Sequence, residues 1–267
     1  MLVLVREEHE KQEIIRYLGD KFKTVPYLYV NTIKYGLGTD MVKTWIDRNE
    51  KGEICGIYLM YYDCIHFYTK EINDYPIERI INFIETYQPR VIILQGNVGD
   101  RCNEYFSENY FIERNHVIDM DPIEIEEKEY LSEIGTKKDV EQVVDLLIAD
   151  PEFSNVYDRK ILLKQMIDRY DNKFSRYFVI KDAGKVVAAY STYGEVPGFA
   201  ITNGVIVHPD YRRRGLASDV IKFACYTLAK ENISRVSFVN YNNTKSLLLH
   251  EKLGAKKIAT LAKYIKK

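Results

Sequence analysis

The sequence predicts an α/β fold (α+β by some schemes) divided into two domains, and three observations carry that prediction. Strand and helix patterns alternate through both halves of the chain. At 267 residues, 46% of them hydrophobic, the chain exceeds one domain of ordinary size and can fill two cores. Finally, Gly52-Glu53-Ile54-Cys55-Gly56-Ile57-Tyr58 is mirrored by Gly184-Lys185-Val186-Val187-Ala188-Ala189-Tyr190. The pair suggests a diverged internal duplication, with chance likeness between two hairpins as the alternative.

In the first half, Val42 to Asp47 and Glu53 to Tyr61 read as strands joined by a hairpin turn at Glu50-Lys51-Gly52. Asp63 to Thr69 is a further strand. Ile77, Ile80, Ile81 and Ile84 recur at helical spacing, so Pro76 to Tyr87 is a helix with one apolar face. Val91 to Leu94 is a buried strand, a helix follows from about Asp100 to Asn109, and Phe111 to Met120 is the last strand of this half. Asp121-Pro122 to Lys128 is acidic, contains a proline and reads as a linker, which sets the domains at 1–125 and 126–267.

The second half opens with a short strand, Tyr130 to Ile134. Thr136 can cap a helix carrying Val140, Val143, Val144 and Leu147. A helix from about Tyr157 to Tyr170 precedes a hairpin, Arg176 to Ile180 and Lys185 to Tyr193, turned at Asp182-Ala183-Gly184. Phe199 to Val207 is a strand and Arg214 to Glu231 a helix. Arg235 to Val239 is a strand, the helix Asn243 to Leu253 stops at Gly254, and Lys256 to Tyr264 is expected to close the sheet.

The most informative segment lies where the strand ending Val205-Ile206-Val207 passes through His208-Pro209-Asp210-Tyr211 into Arg212-Arg213-Arg214-Gly215-Leu216-Ala217. A helix start leaves backbone N–H groups unpaired and presents the positive end of the helix dipole, a ready site for phosphate. Gly215 removes a Cβ from the approach, and the arginines add charge-assisted donors. A solvated basic turn is the plainer reading of such a string, but its position between strand and helix favours the anion site.

This segment resembles the Gln/Arg-x-x-Gly-x-Gly/Ala turn of the GNAT superfamily of acetyl-CoA-dependent N-acetyltransferases. A second block agrees: Asn243-Thr244-Lys245-Ser246-Leu247-Leu248-Leu249-His250-Glu251-Lys252-Leu253-Gly254-Ala255 is similar to the family's later helix. The resemblance implies two GNAT-like domains, each a mixed, mostly antiparallel sheet flanked by helices. It also implies acetyl-CoA as cofactor. Backbone groups of Val205, Ile206 and Val207 would pair with the pantetheine arm, and Arg212, Arg213, Arg214, Gly215, Leu216, Ala217 and Ser218 would hold the pyrophosphate. Asn240, Asn243 and Ser246 match positions beside the cofactor, with capping of the next helix an equal reading for Asn243.

For proton transfer, the family often has a Tyr where this chain has His250, whose ordinary pKa of about 6.5 suits it to protonate a departing thiolate. The strand position that often carries a Glu is close to Ile201, so Glu195, read as a loop residue, becomes the candidate base. Tyr193, Thr202 and Asn203 could orient a water or the amine. The first half has Tyr68-Thr69-Lys70-Glu71-Ile72-Asn73-Asp74-Tyr75-Pro76 at the comparable place, with no glycine and two acids, so cofactor binding is assigned to the second domain alone.

The formal net charge of −1 gives no general attraction to nucleic acid, and no stretch reads as a membrane span. The N-terminal apolar run is too short for a signal peptide. Cys55, Cys64, Cys102 and Cys225 are scattered, which fits reduced thiols in a cytoplasmic protein, and no metal site is expected. The expected partner is a small-molecule primary amine, and a homodimer is left open. A catalytically inactive CoA-binding regulator or scaffold is the alternative function.

Overall fold

The computed structural model describes residues 1–36, 39, 41–154 and 157–267. The first run of elements is β1 (Leu2–Val5), α1 (Glu8–Leu18), α2 (Pro26–Tyr35), β2 (Val42–Arg48), β3 (Ile54–Tyr61), β4 (Cys64–Tyr68), α3 (Ile77–Tyr87), β5 (Val91–Gln95), α4 (Gly96–Phe106) and β6 (Tyr110–Asp119). The second is β7 (Glu133–Ile134), α5 (Val140–Ile148), the single-turn α6 (Pro151–Ser154), α7 (Arg159–Asp171), β8 (Tyr177–Asp182), β9 (Lys185–Val196), β10 (Phe199–Val207), α8 (Leu216–Lys230), β11 (Ser234–Asn240), α9 (Thr244–Lys252) and β12 (Lys256–Lys266). Apart from α6, the two runs share one order of strands and helices. They also share one parallel pair: β4 with β5 around α3, and β10 with β11 around α8. Each sheet is otherwise mostly antiparallel.

By contacts the chain forms two compact units. One comprises Met1–Ile118, Phe238–Leu247 and Lys257–Lys267, the other Asp119–Ser237 and Leu248–Lys256. In the first unit the strand order is β1-β2-β3-β4-β5-β12-β6. One face is packed by Trp45, Tyr58, Phe67 and Ile92 against Ile80, Phe83 and Ile84 of α3 and Val98, Cys102 and Phe106 of α4. The other is packed by Ile46, Ile57 and Leu59 against Ile14, Leu18 and Leu28 from α1 and α2. Each such side chain contributes roughly 1.5–3 kcal/mol on burial.

Three features of the first unit depart from the sequence reading. Residues 1–35 hold a strand and two helices that were not assigned, although α1 carries a capping box between Glu7 and Glu10 and α2 begins on Pro26. Helix α4 starts at Gly96 rather than near Asp100, because its glycines are needed where β12 crosses it. A Cβ on Gly96 would fall 2.0 Å from the Thr260 hydroxyl, and one on Gly99 would fall 2.3 Å from the Ala262 Cβ. Finally, β12 does not close the second sheet. It pairs antiparallel with β5, Leu261 opposite Gln95 through Ile265 opposite Val91.

In the second unit the order is β11-β10-β9-β8-β7, with β11 entering through Ser234–Ser237. Val143, Val144 and Leu147 of α5 and Leu162 and Met166 of α7 pack on Tyr177, Val179 and Ala189. On α8, Val220, Ile221, Ala224, Cys225 and Leu228 form the buried stripe. The acidic segment expected to be a linker is strapped down. Asp121 accepts the Arg235 N–H at 3.0 Å, Glu126 lies 3.2 Å from Lys222, and Glu127 lies 3.1 Å from Lys230.

Candidate functional site

The site is built where the pairing of β10 with β11 ends. This parallel pairing covers only Phe199–Thr202 opposite Ser234–Ser237. From Asn203 to Val207 β10 makes no ladder pairing with β11 among the described residues, and Val205 and Val207 are half-buried. On the other side β9 stays paired to Val207, through an irregularity between Asn203 and Ile206 where Gly204 adopts φ +69°.

After Val207 the chain makes a tight turn at Pro209–Tyr211. Two of the three arginines brace this turn. Arg212 Nε donates to the Val207 carbonyl at 3.0 Å, with Asp150 3.5 Å from its Nη2. Arg214 Nη2 donates to the Asp210 carbonyl at 3.0 Å, and its guanidinium lies 5.1 Å from the Tyr211 ring centroid. Arg213 is exposed, takes a left-handed φ of +69° and makes no ion pair among the described residues.

Gly215 follows at φ +80°, and a Cβ placed on it would meet nothing within 4 Å. It is the N-cap of α8 and no side chain caps it. The first helical bond runs from the Asp219 N–H to the Gly215 carbonyl, 3.1 Å. The N–H groups of Leu216, Ala217 and Ser218 are therefore left outside the helical ladder at an uncovered helix mouth. The one acid in this first turn is engaged elsewhere. Asp219 accepts the Ser132 hydroxyl at 2.6 Å and the Ser132 N–H at 3.2 Å.

The comparable place in the first unit is filled. The Thr69 N–H donates to Gln95 Oε1 at 2.9 Å, and Arg101 clamps the Ile72 and Tyr75 carbonyls, each at 2.9 Å. Tyr75 is fully buried beneath this loop.

The candidate proton-transfer residues are placed as follows. Glu195 is not in a loop but on β9, which runs to Val196. Its carboxylate takes both oxygens' share of Arg176 (2.8 to 3.0 Å) and the Thr192 hydroxyl at 2.6 Å. Arg176 also holds Glu231, 2.9 Å from Nη2. His250 lies in α9 and is 1% exposed. The Thr202 hydroxyl is committed, accepting from Tyr190 at 2.6 Å and donating to the Val236 carbonyl at 3.0 Å. Asn203 accepts the Ser191 hydroxyl, 3.2 Å to its carbonyl. Burial pushes the Cys225 thiol above its ordinary pKa despite the nearby Arg235.

Asn240, Asn243 and Ser246 belong to the segment Phe238–Leu247, grouped with the first unit. Asn240 Oδ1 accepts the Asn242 N–H at 2.9 Å, and Asn243 Oδ1 accepts the Ser246 N–H at 3.0 Å, so both asparagines shape the start of α9. Among the described residues no group of His, Cys, Asp and Glu could hold a metal ion, and no helix is long and apolar enough to cross a membrane.

Sequence reasoning missed Tyr193 as a bulge. Ile201 pairs with Gly194 and Thr202 with Thr192, so Tyr193 is an extra residue on β9. Only the neighbouring Gly194 hints at it.

The model of the Acetyltransferase (GNAT) family matches residues 140–255. Among curated proteins none matches the chain. Three solved structures are similar over nearly its whole length. A Drosophila protein is 14% identical, covering 100% of this chain and 98% of its own, at a TM-score of 0.70. An acetyltransferase from the GNAT family from Colwellia psychrerythraea is 12% identical, with 100% of both chains covered and a TM-score of 0.61. The tandem GNAT protein from the clavulanic acid biosynthesis pathway is 12% identical, covering 99% of this chain and 98% of its own, at 0.60. At such identities the likeness is one of fold. The match to the GNAT acetyltransferase model thus spans residues 140–255, and the fold of the whole chain is similar to that of a tandem GNAT protein.

Proposed function

We propose that the protein is an N-acetyltransferase that moves an acetyl group from acetyl-CoA directly to the primary amine of a small molecule. One observation carries the reading: the uncapped mouth of α8, where Gly215 leaves open space and three amides stand outside the helical ladder beside a basic turn. These residues fit a pyrophosphate. Acetyl-CoA, when bound, supplies the acetyl group as an activated thioester. The amides of Leu216, Ala217 and Ser218 would hold its diphosphate, with Arg213 free to add charge. The β10 edge from Asn203 to Val207 would align the pantetheine arm through backbone hydrogen bonds.

Proton handling is the sparse part of the site. Glu195 can act as a base only by giving up Arg176 and Thr192, so an ordered water taking the ammonium proton is the simpler route. His250 is the candidate donor to the departing thiolate. His250→Phe should then lower kcat at least tenfold while the acetyl-CoA Kd changes less than twofold. Unchanged kcat would remove it from the reaction.

The engaged Glu195 and the buried His250 also favour a second reading, a CoA-binding regulator without turnover. Calorimetry with acetyl-CoA, followed by thiol release with a panel of amines, separates the two. Binding with acceptor-dependent release supports the enzyme; tight binding without release on any amine supports the regulator; absence of binding defeats both.

A further inference from the structure

The first turn of α8 carries one acid, Asp219, beside the proposed anion site. Side chains on a helix lean toward its N-terminus. A carboxylate at this position, if nothing else held it, would therefore be drawn to the amides of Leu216, Ala217 and Ser218. Such an acid stabilises a helix that takes no ligand. In a helix whose mouth receives a diphosphate, it competes with that ligand for the same amides.

The chain occupies Asp219 from outside the helix. Ser132 gives its Oδ1 two donors, the hydroxyl at 2.6 Å and the N–H at 3.2 Å, and the Leu131 N–H lies 3.4 Å from Oδ2. The short hydroxyl bond to a charged acceptor is the strongest of the three. Ser132 lies outside any helix or strand and is nevertheless 7% exposed.

Its place is fixed by the segment before it, which lies along α8. Glu127 lies 3.1 Å from Lys230 and accepts the Tyr226 hydroxyl at 3.2 Å. Glu126 lies 3.2 Å from Lys222. The Tyr130 ring packs on Phe223 and Tyr226, with centroids 5.5 and 5.7 Å away, and its hydroxyl donates to the Glu126 carbonyl at 2.8 Å. Positions 219, 222, 223, 226 and 230 recur every three or four residues and form one face of the helix. The segment follows that face from the last turn of α8 to the first, and so delivers Ser132 to Asp219.

Building on the acetyl-CoA reading above, we infer that Ser132 is a positioning residue for the cofactor site. By holding the Asp219 carboxylate against the segment before β7, it keeps the mouth of α8 clear for an anion. Ser132 acts by restraining a competitor, without touching the ligand.

Calorimetry on the full chain, with acetyl-CoA and separately with inorganic pyrophosphate, tests this. Ser132→Ala should weaken both at least fivefold, and Ser132→Thr, which keeps the hydroxyl, should stay within twofold of wild type. Asp219→Asn leaves Ser132 an acceptor oxygen without the charge and should bind at least as tightly as wild type. The deciding variant is Ser132→Ala with Asp219→Asn: affinity within twofold of wild type would trace the loss to the released carboxylate. In thiol release, Ser132→Ala should raise the acetyl-CoA KM at least fivefold with kcat within twofold. An unchanged Kd in Ser132→Ala would overturn the inference. So would a double variant as weak as Ser132→Ala, because the serine would then serve the fold alone. Pyrophosphate binding with the expected pattern, but no acetyl-CoA binding, would defeat only the cofactor reading. Acetyl-CoA binding indifferent to Ser132→Ala would defeat only this inference, and binding of neither ligand would defeat both.

Discussion

Gly215 combines a left-handed backbone with an empty surrounding shell. Any L-residue there costs about 1–2 kcal/mol in backbone strain, but meets no protein atom. Gly215→Glu should therefore leave the fold intact by circular dichroism, while its carboxylate occupies the anion's place. Calorimetry should record at least a hundredfold weaker acetyl-CoA binding; an unaltered Kd would dismiss the turn as the phosphate site. Glu195 behaves in the opposite way, being wholly engaged. Glu195→Gln should cost about 1–3 kcal/mol of stability, since Arg176 loses a charged partner, and the pH profile of kcat should keep its shape. A lost basic limb would instead make Glu195 the base. Both residues were noticed in the sequence, for different reasons. Gly215 is legible because glycine and arginine punctuate a strand-to-helix junction. Glu195 was misplaced because β9 runs three residues past Tyr193, through a bulge that alternation cannot register.

At the level of single elements, strands β2 and β3 and helix α3 are tied by a polar cluster around Asp47, 3% exposed. Burial raises its pKa, yet the bonds from Tyr75 (2.7 Å), Arg79 (2.8 Å) and the Met1 amine (3.2 Å) outweigh that and leave it below the ordinary value. The sign follows from linkage: with the folded value depressed, Asp47 stabilises fully above the unfolded pKa of about 3.9, and that contribution disappears as the pH falls through the folded value. Urea titrations from about pH 6 downward should show wild-type stability converging on that of Asp47→Asn as acid is added. Parallel curves would exclude the carboxylate from the pH response. The elements themselves were largely readable, β10 to the residue and α3 within one, because apolar spacing and turn residues mark them. The α4 start was not, since glycine disfavours a helix interior and only the crossing strand explains Gly96 and Gly99.

For the whole chain, strand existence was legible apart from β1, and strand partnership was not. The alternation in Lys256 to Tyr264 predicts a strand, but nothing in it names β5 as its neighbour. That pairing makes the first unit depend on the last part of the chain. Deleting residues 256–267 spares the family-matched segment 140–255, yet should unfold the first unit. Hydrogen exchange should show lost protection in β5 and α4 of the truncated protein; wild-type protection there would mean that β12 is dispensable. The same feature sets a timetable during synthesis. About 160 residues separate β5 from β12, so at roughly 5–20 residues per second the nascent N-terminal sheet waits on the order of 10–30 s on the ribosome with a raw edge. The sheet of the first unit is therefore completed only once the last strand of the chain has been made.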